Sequence, residues 1–402
     1  MGWSLTGANY LKLAEAFLEE AKCDLKVVDI LIKATNPGLW KYAEQSLTED
    51  EIFCVGRRTL FLLQQATEKL AKAFISAYPR PLLEYMGRIV KKYSGIDLPK
   101  LKFARELLGI SGEEEGDIQE KEKGHKYKQK KTEQPLLDQL EPKRMGHKPY
   151  EVIVELLRKY INTLTTYREP IVNSFNQLSK DFEKLFNTLG EHYPEEKDRI
   201  KELEEVFLKL YKPLVKQFEV LNFTDKYLSA EHAGRRDKKE PPCLDILEKL
   251  KLFRSEVEWL SQESAKKFQE AREKLMPYRE LLFSLVKKTK MKDEDKKLTE
   301  YFLHVLYEEE GERALYSFFA SSVYLSAFVV ELLPCLVFYV SGGRYPSFSR
   351  DSGKEVLVNE LRNEIMSDIK RITELREELD FLLREMEKAV KSSPAFTTLS
   401  KI

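Results

Sequence analysis

Apolar residues along this chain recur every third or fourth position over long stretches, with no strand-like alternation, so the pattern predicts helices throughout. In the first helix, over residues 5–33, Leu11, Ala14, Leu18, Ala21, Leu25, Val28 and Ile32 form a narrow seam that suits one partner helix. Asn36-Pro37-Gly38 ends it. A second helix is expected over residues 49–78. Thr48 and Glu51 have capping-box spacing at its start, Leu60, Leu63, Thr67, Leu70 and Phe74 mark its apolar face, and Pro79 and Pro81 stop it. The two helices are natural antiparallel neighbours, with Leu18, Leu25, Leu63 and Leu70 expected between them. Residues 81–93 and 99–110 read as shorter helices parted at Ser94-Gly95.

The pattern then collapses over residues 111–146, where Glu113-Glu114-Glu115 gives way to a lysine-dense run around His125. Such a segment buries too little apolar area to offset its ordering entropy and reads as a mobile, charged linker, or as a basic arm able to touch phosphate. Helical spacing returns at Pro149 with Val152, Val154, Leu156, Leu157 and Ile161, and Pro170 is expected to kink or divide that segment near Arg168. Further helices are expected over 195–221, 244–275 and 277–288, with a polar loop over 229–242. The most apolar stretch is 314–340, whose only charge is Glu331 and which Pro334 interrupts. About 20 apolar residues suffice to span a bilayer. Glu331 beside the proline, and the scattered serines and tyrosines, make a buried helix at the centre of a bundle the better reading. After Ser341-Gly342-Gly343, a last helix over 354–388 carries Leu361, Ile365, Ile369, Ile372, Leu375, Leu379, Leu382 and Met386 on one face. At 1.5 Å per residue it would be roughly 50 Å long. Residues 392–402 read as a frayed tail.

Composition sharpens this picture in three places. The 402 residues are enough for two or three core-forming units. Lys+Arg and Asp+Glu both number 67, which excludes a global basic field for nucleic acid. A charged fraction of 33% with few Gly (17) and Pro (16) favours long solvated helices over a sandwich or barrel. The four cysteines, Cys23, Cys54, Cys243 and Cys335, include no C-x-x-C pair and read as buried reduced thiols. Together with an N-terminus that lacks a signal-peptide pattern, they imply a cytoplasmic protein with no membrane span.

In the second helix the run Gln64-Gln65-Ala66-Thr67-Glu68-Lys69-Leu70-Ala71-Lys72-Ala73 places Gln65, Glu68 and Lys72 on one face, with Glu68 and Lys72 in the favourable acid-before-base order. The order Q-Q-A-x-E-K-x-x-K-A resembles the second helix of HEPN domains, small helical bundles named for nucleotide binding in higher eukaryotes and prokaryotes. Ala21-Lys22-Cys23-Asp24-Leu25 is similar to that family's first helix, Gly146-His147-Lys148 to the entry of its next helix, and Arg344-Tyr345-Pro346 to the turn before its last. The resemblance implies an all-α, HEPN-like up-and-down bundle split by a helical insertion. Its pieces would be 1–110, the first half of the bundle; 111–146, the linker; 147–313, mostly insertion; 314–391, the closing helices; and 392–402, the tail.

The resemblance also implies what the chain does: a nucleotide- or RNA-binding module of a prokaryotic defence or toxin–antitoxin-like system, commonly paired as a homodimer, with a nucleotidyltransferase-type protein as partner. The ligand- or phosphate-binding residues would be Gln64, Gln65, Glu68, Lys69, Lys72, His147, Arg344 and Tyr345. Many HEPN proteins are ribonucleases, whose signature is an arginine, four to six residues, then a histidine. That pairing holds phosphate with a cation and moves a proton with an imidazole. None of the five histidines here, His125, His147, His192, His232 and His304, has an arginine at that spacing. Binding without catalysis is therefore expected, with a degenerate ribonuclease and a purely helical assembly protein as alternatives. The ordinary role for the glutamine–lysine row is a core bridge beside a solvated charged face. No cofactor or metal is expected: Glu300, His304 and Glu308 share a helix face, but the paired Glu-x-x-His motifs of a di-iron bundle are missing. There is likewise no phosphate-binding glycine loop and no nucleophile–base set.

Overall fold

A computed structural model describes residues 7–35, 48–77, 87, 89–96, 149–227, 246–288, 296, 321–337 and 371–399. These residues are 97% helical and contain no strand, so the fold is all-α. The helices are α1 (Gly7–Thr35), α2 (Glu49–Ala77), α3 (Pro149–Thr166), α4 (Arg168–His192), α5 (Lys197–Lys216), α6 (Val220–Tyr227), α7 (Ile246–Leu275), α8 (Arg279–Lys288), α9 (321–337) and α10 (Ile372–Leu399). None of the described helices is long and apolar enough to cross a membrane.

Local chemistry accounts for the boundaries. At the start of α2 the expected capping box forms: the Thr48 N–H donates to Glu51 Oε2 at 2.7 Å and the Glu51 N–H donates to Thr48 Oγ1 at 3.3 Å. The segment after Pro149 divides at Tyr167, three residues before Pro170, whose missing N–H cannot complete the ladder there. The expected helix over 195–221 is instead α5, a tight turn at Gln217–Glu219 and α6. Pro334 does not break its helix, because α9 runs through it to residue 337. The backbone also stays helical to Leu399, where the sequence reads as a tail from Ser392.

Ion pairs fix the directions in which α1, α2 and α10 run. Lys69 of α2 meets Asp24 and Glu20 of α1, while Lys72 lies over the Phe17 ring, so ascending α2 is descending α1. Lys22 pairs with Glu387 and Asp29 with Arg376, which sets α1 antiparallel to α10 as well. Leu18, Leu25, Leu63 and Leu70 are all buried, as the two seams predict. α2 itself is buried around most of its circumference, with Ala66, Ala71 and Ala73 fully buried beside its leucines.

α9 is the innermost described element. Its residues 321–329 are all buried, in keeping with the expected central helix. Tyr324 stacks edge-on against Phe253 of α7 and Phe381 of α10, and Tyr160 of α3 meets Ser322 through its hydroxyl. Phe74 of α2 reaches the Tyr160 ring at 6.0 Å, so α2, α3, α7, α9 and α10 share one continuous core. α4 and α5 extend it through Phe182, Phe186 and Phe207.

The cysteines depart from expectation. Cys23 and Cys54 are exposed free thiols rather than buried ones, and Cys335 is disulfide-bonded rather than reduced.

Candidate functional site

The glutamine–lysine row of α2 was built for two environments at once. Its helix is enclosed by neighbours, yet Gln64, Glu68 and Lys72 recur at every fourth position, so those side chains must satisfy one another. Gln64 is 4% exposed and Glu68 8%. Gln65 Nε2 donates to Gln64 Oε1 at 2.7 Å, Gln64 Nε2 donates to Glu68 Oε2 at 3.2 Å, and Lys72 Nζ donates to Glu68 Oε1 at 2.6 Å. Lys69, one stripe over, leaves its own helix: Nζ donates to Asp24 Oδ2 at 2.7 Å and lies 3.5 Å from Glu20 Oε2. The Lys72 ammonium also sits 5.8 Å from the centre of the Phe17 ring.

The chemistry of this row follows from those partners. Each lysine faces a carboxylate, so the local field is close to neutral rather than basic, and both oxygens of Glu68 are engaged. The predicted solvated face is therefore half-buried, and its residues bind α1 and each other. Of the other expected site residues, His147, Arg344 and Tyr345 lie outside the described residues, as do Glu300, His304 and Glu308. Among the described residues no group of three or more His, Cys, Asp or Glu is arranged to hold a metal ion.

A second polar cluster, unanticipated from the sequence, lies where α7, α9 and α10 meet. Glu378 is 1% exposed; its Oε2 accepts the Tyr324 hydroxyl at 2.6 Å and its Oε1 accepts Arg254 Nη1 at 3.0 Å. Arg254 Nε donates onward to Glu258 Oε1 at 3.1 Å, and its guanidinium lies 4.4 Å from the Phe381 ring centre. Burial, reinforced by the Glu378 carboxylate, pushes the Tyr324 phenol well above its ordinary value of 10.0. Burial works against the Arg254 cation, but Glu378 and Glu258 outweigh it and raise its pKa. A phenol locked in its neutral form and a carboxylate with both oxygens taken make a structural knot, not an acid–base pair. The sequence does carry a signal for it. Glu378 falls three residues after Leu375 and four before Leu382, inside the apolar face of α10.

Outside these clusters, large apolar side chains reach the surface at Val27 and Ile30 on α1, at Leu252 and Trp259 on α7, and at Met276. Lys216 of α5 lies over Trp259 with Nζ 4.6 Å from the ring centre, and Lys209 and Lys212 are exposed on the preceding turns of α5.

Comparison with protein-family models, with curated proteins and with solved structures finds no match to this chain.

Proposed function

We propose that this chain is a non-catalytic, HEPN-like helical protein that works by assembly, through apolar faces it leaves to solvent. The observation that carries this reading is the fate of the α2 row. Both lysines expected to hold phosphate are paired with carboxylates, and one of them fastens α2 to α1. Meanwhile the side of α1 opposite the buried seam keeps Val27 and Ile30 in water. An acid–base ribonuclease needs an imidazole to move a proton beside a free cation, and the row holds no histidine and has both its lysines paired. Light scattering at micromolar concentration tests the reading. A mass well above the 47.1 kDa of one chain is expected, and a strictly single-chain mass across a hundredfold dilution contradicts it.

A second reading, nucleotide or RNA binding, draws support from the α5–α7 edge, where Lys216 lies over the exposed Trp259, an aromatic of the kind that stacks on a base, and exposed Lys209 and Lys212 continue its row on α5. It predicts weak binding of single-stranded RNA that falls as salt rises, since the contacts are to phosphate. A Lys216→Glu variant that binds RNA as well as the native chain does would remove that support.

A further inference from the structure

We propose that the outward face of α1 is a self-association surface, on which a second copy of this chain lays its own α1 antiparallel about a two-fold axis at Cys23. The proposal rests on the assembly reading and names its surface.

Both edges of α1 are fastened within the chain. Lys22 with Glu387 and Asp29 with Arg376 tie one edge to α10, and Asp24 and Glu20 with Lys69 tie the other to α2. Between those edges, Ala16, Cys23 and Ile30 recur every seventh residue with Val27 alongside, and all four are exposed. Val27 is 44% exposed and Ile30 64%, far above the buried residues on the opposite side of the helix. A seven-residue recurrence is the spacing at which one helix meets another along its length.

The charges beside this stripe select the occupant and its direction. Glu15 and Glu19 precede Cys23 on one flank, and Lys26 and Lys33 follow it on the same flank; all four are exposed. Glu19 already accepts a hydrogen bond from Lys22 yet keeps a side chain 70% exposed. A parallel copy would set glutamate against glutamate and lysine against lysine. An antiparallel copy centred on Cys23 sets Glu19 against Lys26 and brings Lys33 within reach of Glu15, each twice by symmetry. The same register lays Ile30 over Ala16 and Cys23 over its own counterpart. From Glu15 to Lys33 the pattern is thus complementary to its own reversal, and flanking charges of this kind fix partner and orientation. One helix pair buries less than the roughly 1,200 Å² of a standard interface, so the association is weak, on the order of micromolar.

Helix axes about 10 Å apart would put the two Cys23 Cα atoms about 5 Å apart, because each lies about 2.3 Å from its axis. That separation is within disulfide reach. The test is copper-phenanthroline oxidation of the full chain carrying Cys54→Ala, which removes the other exposed free thiol, read on a non-reducing gel. A covalent dimer is expected, and adding Cys23→Ser abolishes it. Lys26→Glu should cut its yield by about tenfold through like-charge opposition, and the exchange Glu19→Lys with Lys26→Glu should restore it. All these positions are exposed, and circular dichroism verifies that each variant keeps its helix content. A dimeric mass without Cys23 cross-linking, or one indifferent to Lys26→Glu, overturns the α1 surface and leaves the assembly reading standing. A strictly monomeric mass overturns both.

Discussion

Tyr324 holds its hydroxyl proton where no water reaches it, hydrogen-bonded to Glu378, and its pKa lies well above the 10.0 of a free phenol. Above that pH the unfolded chain releases a proton that the folded chain retains, so stability falls as pH rises through and beyond about 10. Tyr324→Phe removes this slope. At neutral pH it should cost about 1–3 kcal/mol, because Glu378 Oε2 loses its buried donor. The gap between variant and native protein, read from urea midpoints, should narrow between about pH 8 and about pH 10.5. A gap that stays constant over that range would show that the phenol titrates normally. The same residues show what a sequence conceals. Glu378 sits inside an apolar face where only a committed partner could keep it, but Arg254 lies 124 positions away and no local pattern joins them. Within α2 the sequence set Gln65 beside Glu68, but Gln64, four residues before Glu68, is the glutamine that bonds it, and the burial of both depends on helices far along the chain.

For single helices, the seams and their punctuation were readable because they are local. Thr48, Glu51 and Pro170 act on backbone groups within four residues of themselves. The Glu51 carboxyl is held below its ordinary value by the Thr48 N–H and hydroxyl, so its share of the cap is present above about pH 4.5 and lost as pH falls through the folded value. Thr48→Ala should therefore lower stability near neutrality and by less in acid. Equal losses at about pH 7 and about pH 3 would show that the capping box is not coupled to Glu51. In the α1–α2 seam, Leu63→Ala should cost about 2–5 kcal/mol in chemical denaturation, and a change under about half a kcal/mol would place that face outside the core. Pro334 was misleading because a proline inside a helix costs a hydrogen bond, and a helix enclosed as α9 is recovers that cost from packing.

Across the whole molecule, α2 is the element on which α1, α3 and α10 converge, and Lys69 and Lys72 of its signature meet α1. The lysines of the Gln64–Lys72 row therefore work in joining α2 to α1, and no metal-independent cleavage of single-stranded RNA is expected. Cleavage that disappears in a His147→Ala variant would move the chain to the enzyme class. What the sequence could not supply at this scale is which lysines are free, since that is decided by carboxylates on other helices, such as Asp24 beside Lys69. The most direct measurement is a double-mutant cycle on that pair, with Asp24→Ala, Lys69→Ala and the double variant compared by urea denaturation. A coupling of about 1 kcal/mol is expected for a half-buried pair that fastens two helices. A coupling below about 0.3 kcal/mol would mean that Lys69 does not hold α1, and would contradict the structural role given to the row.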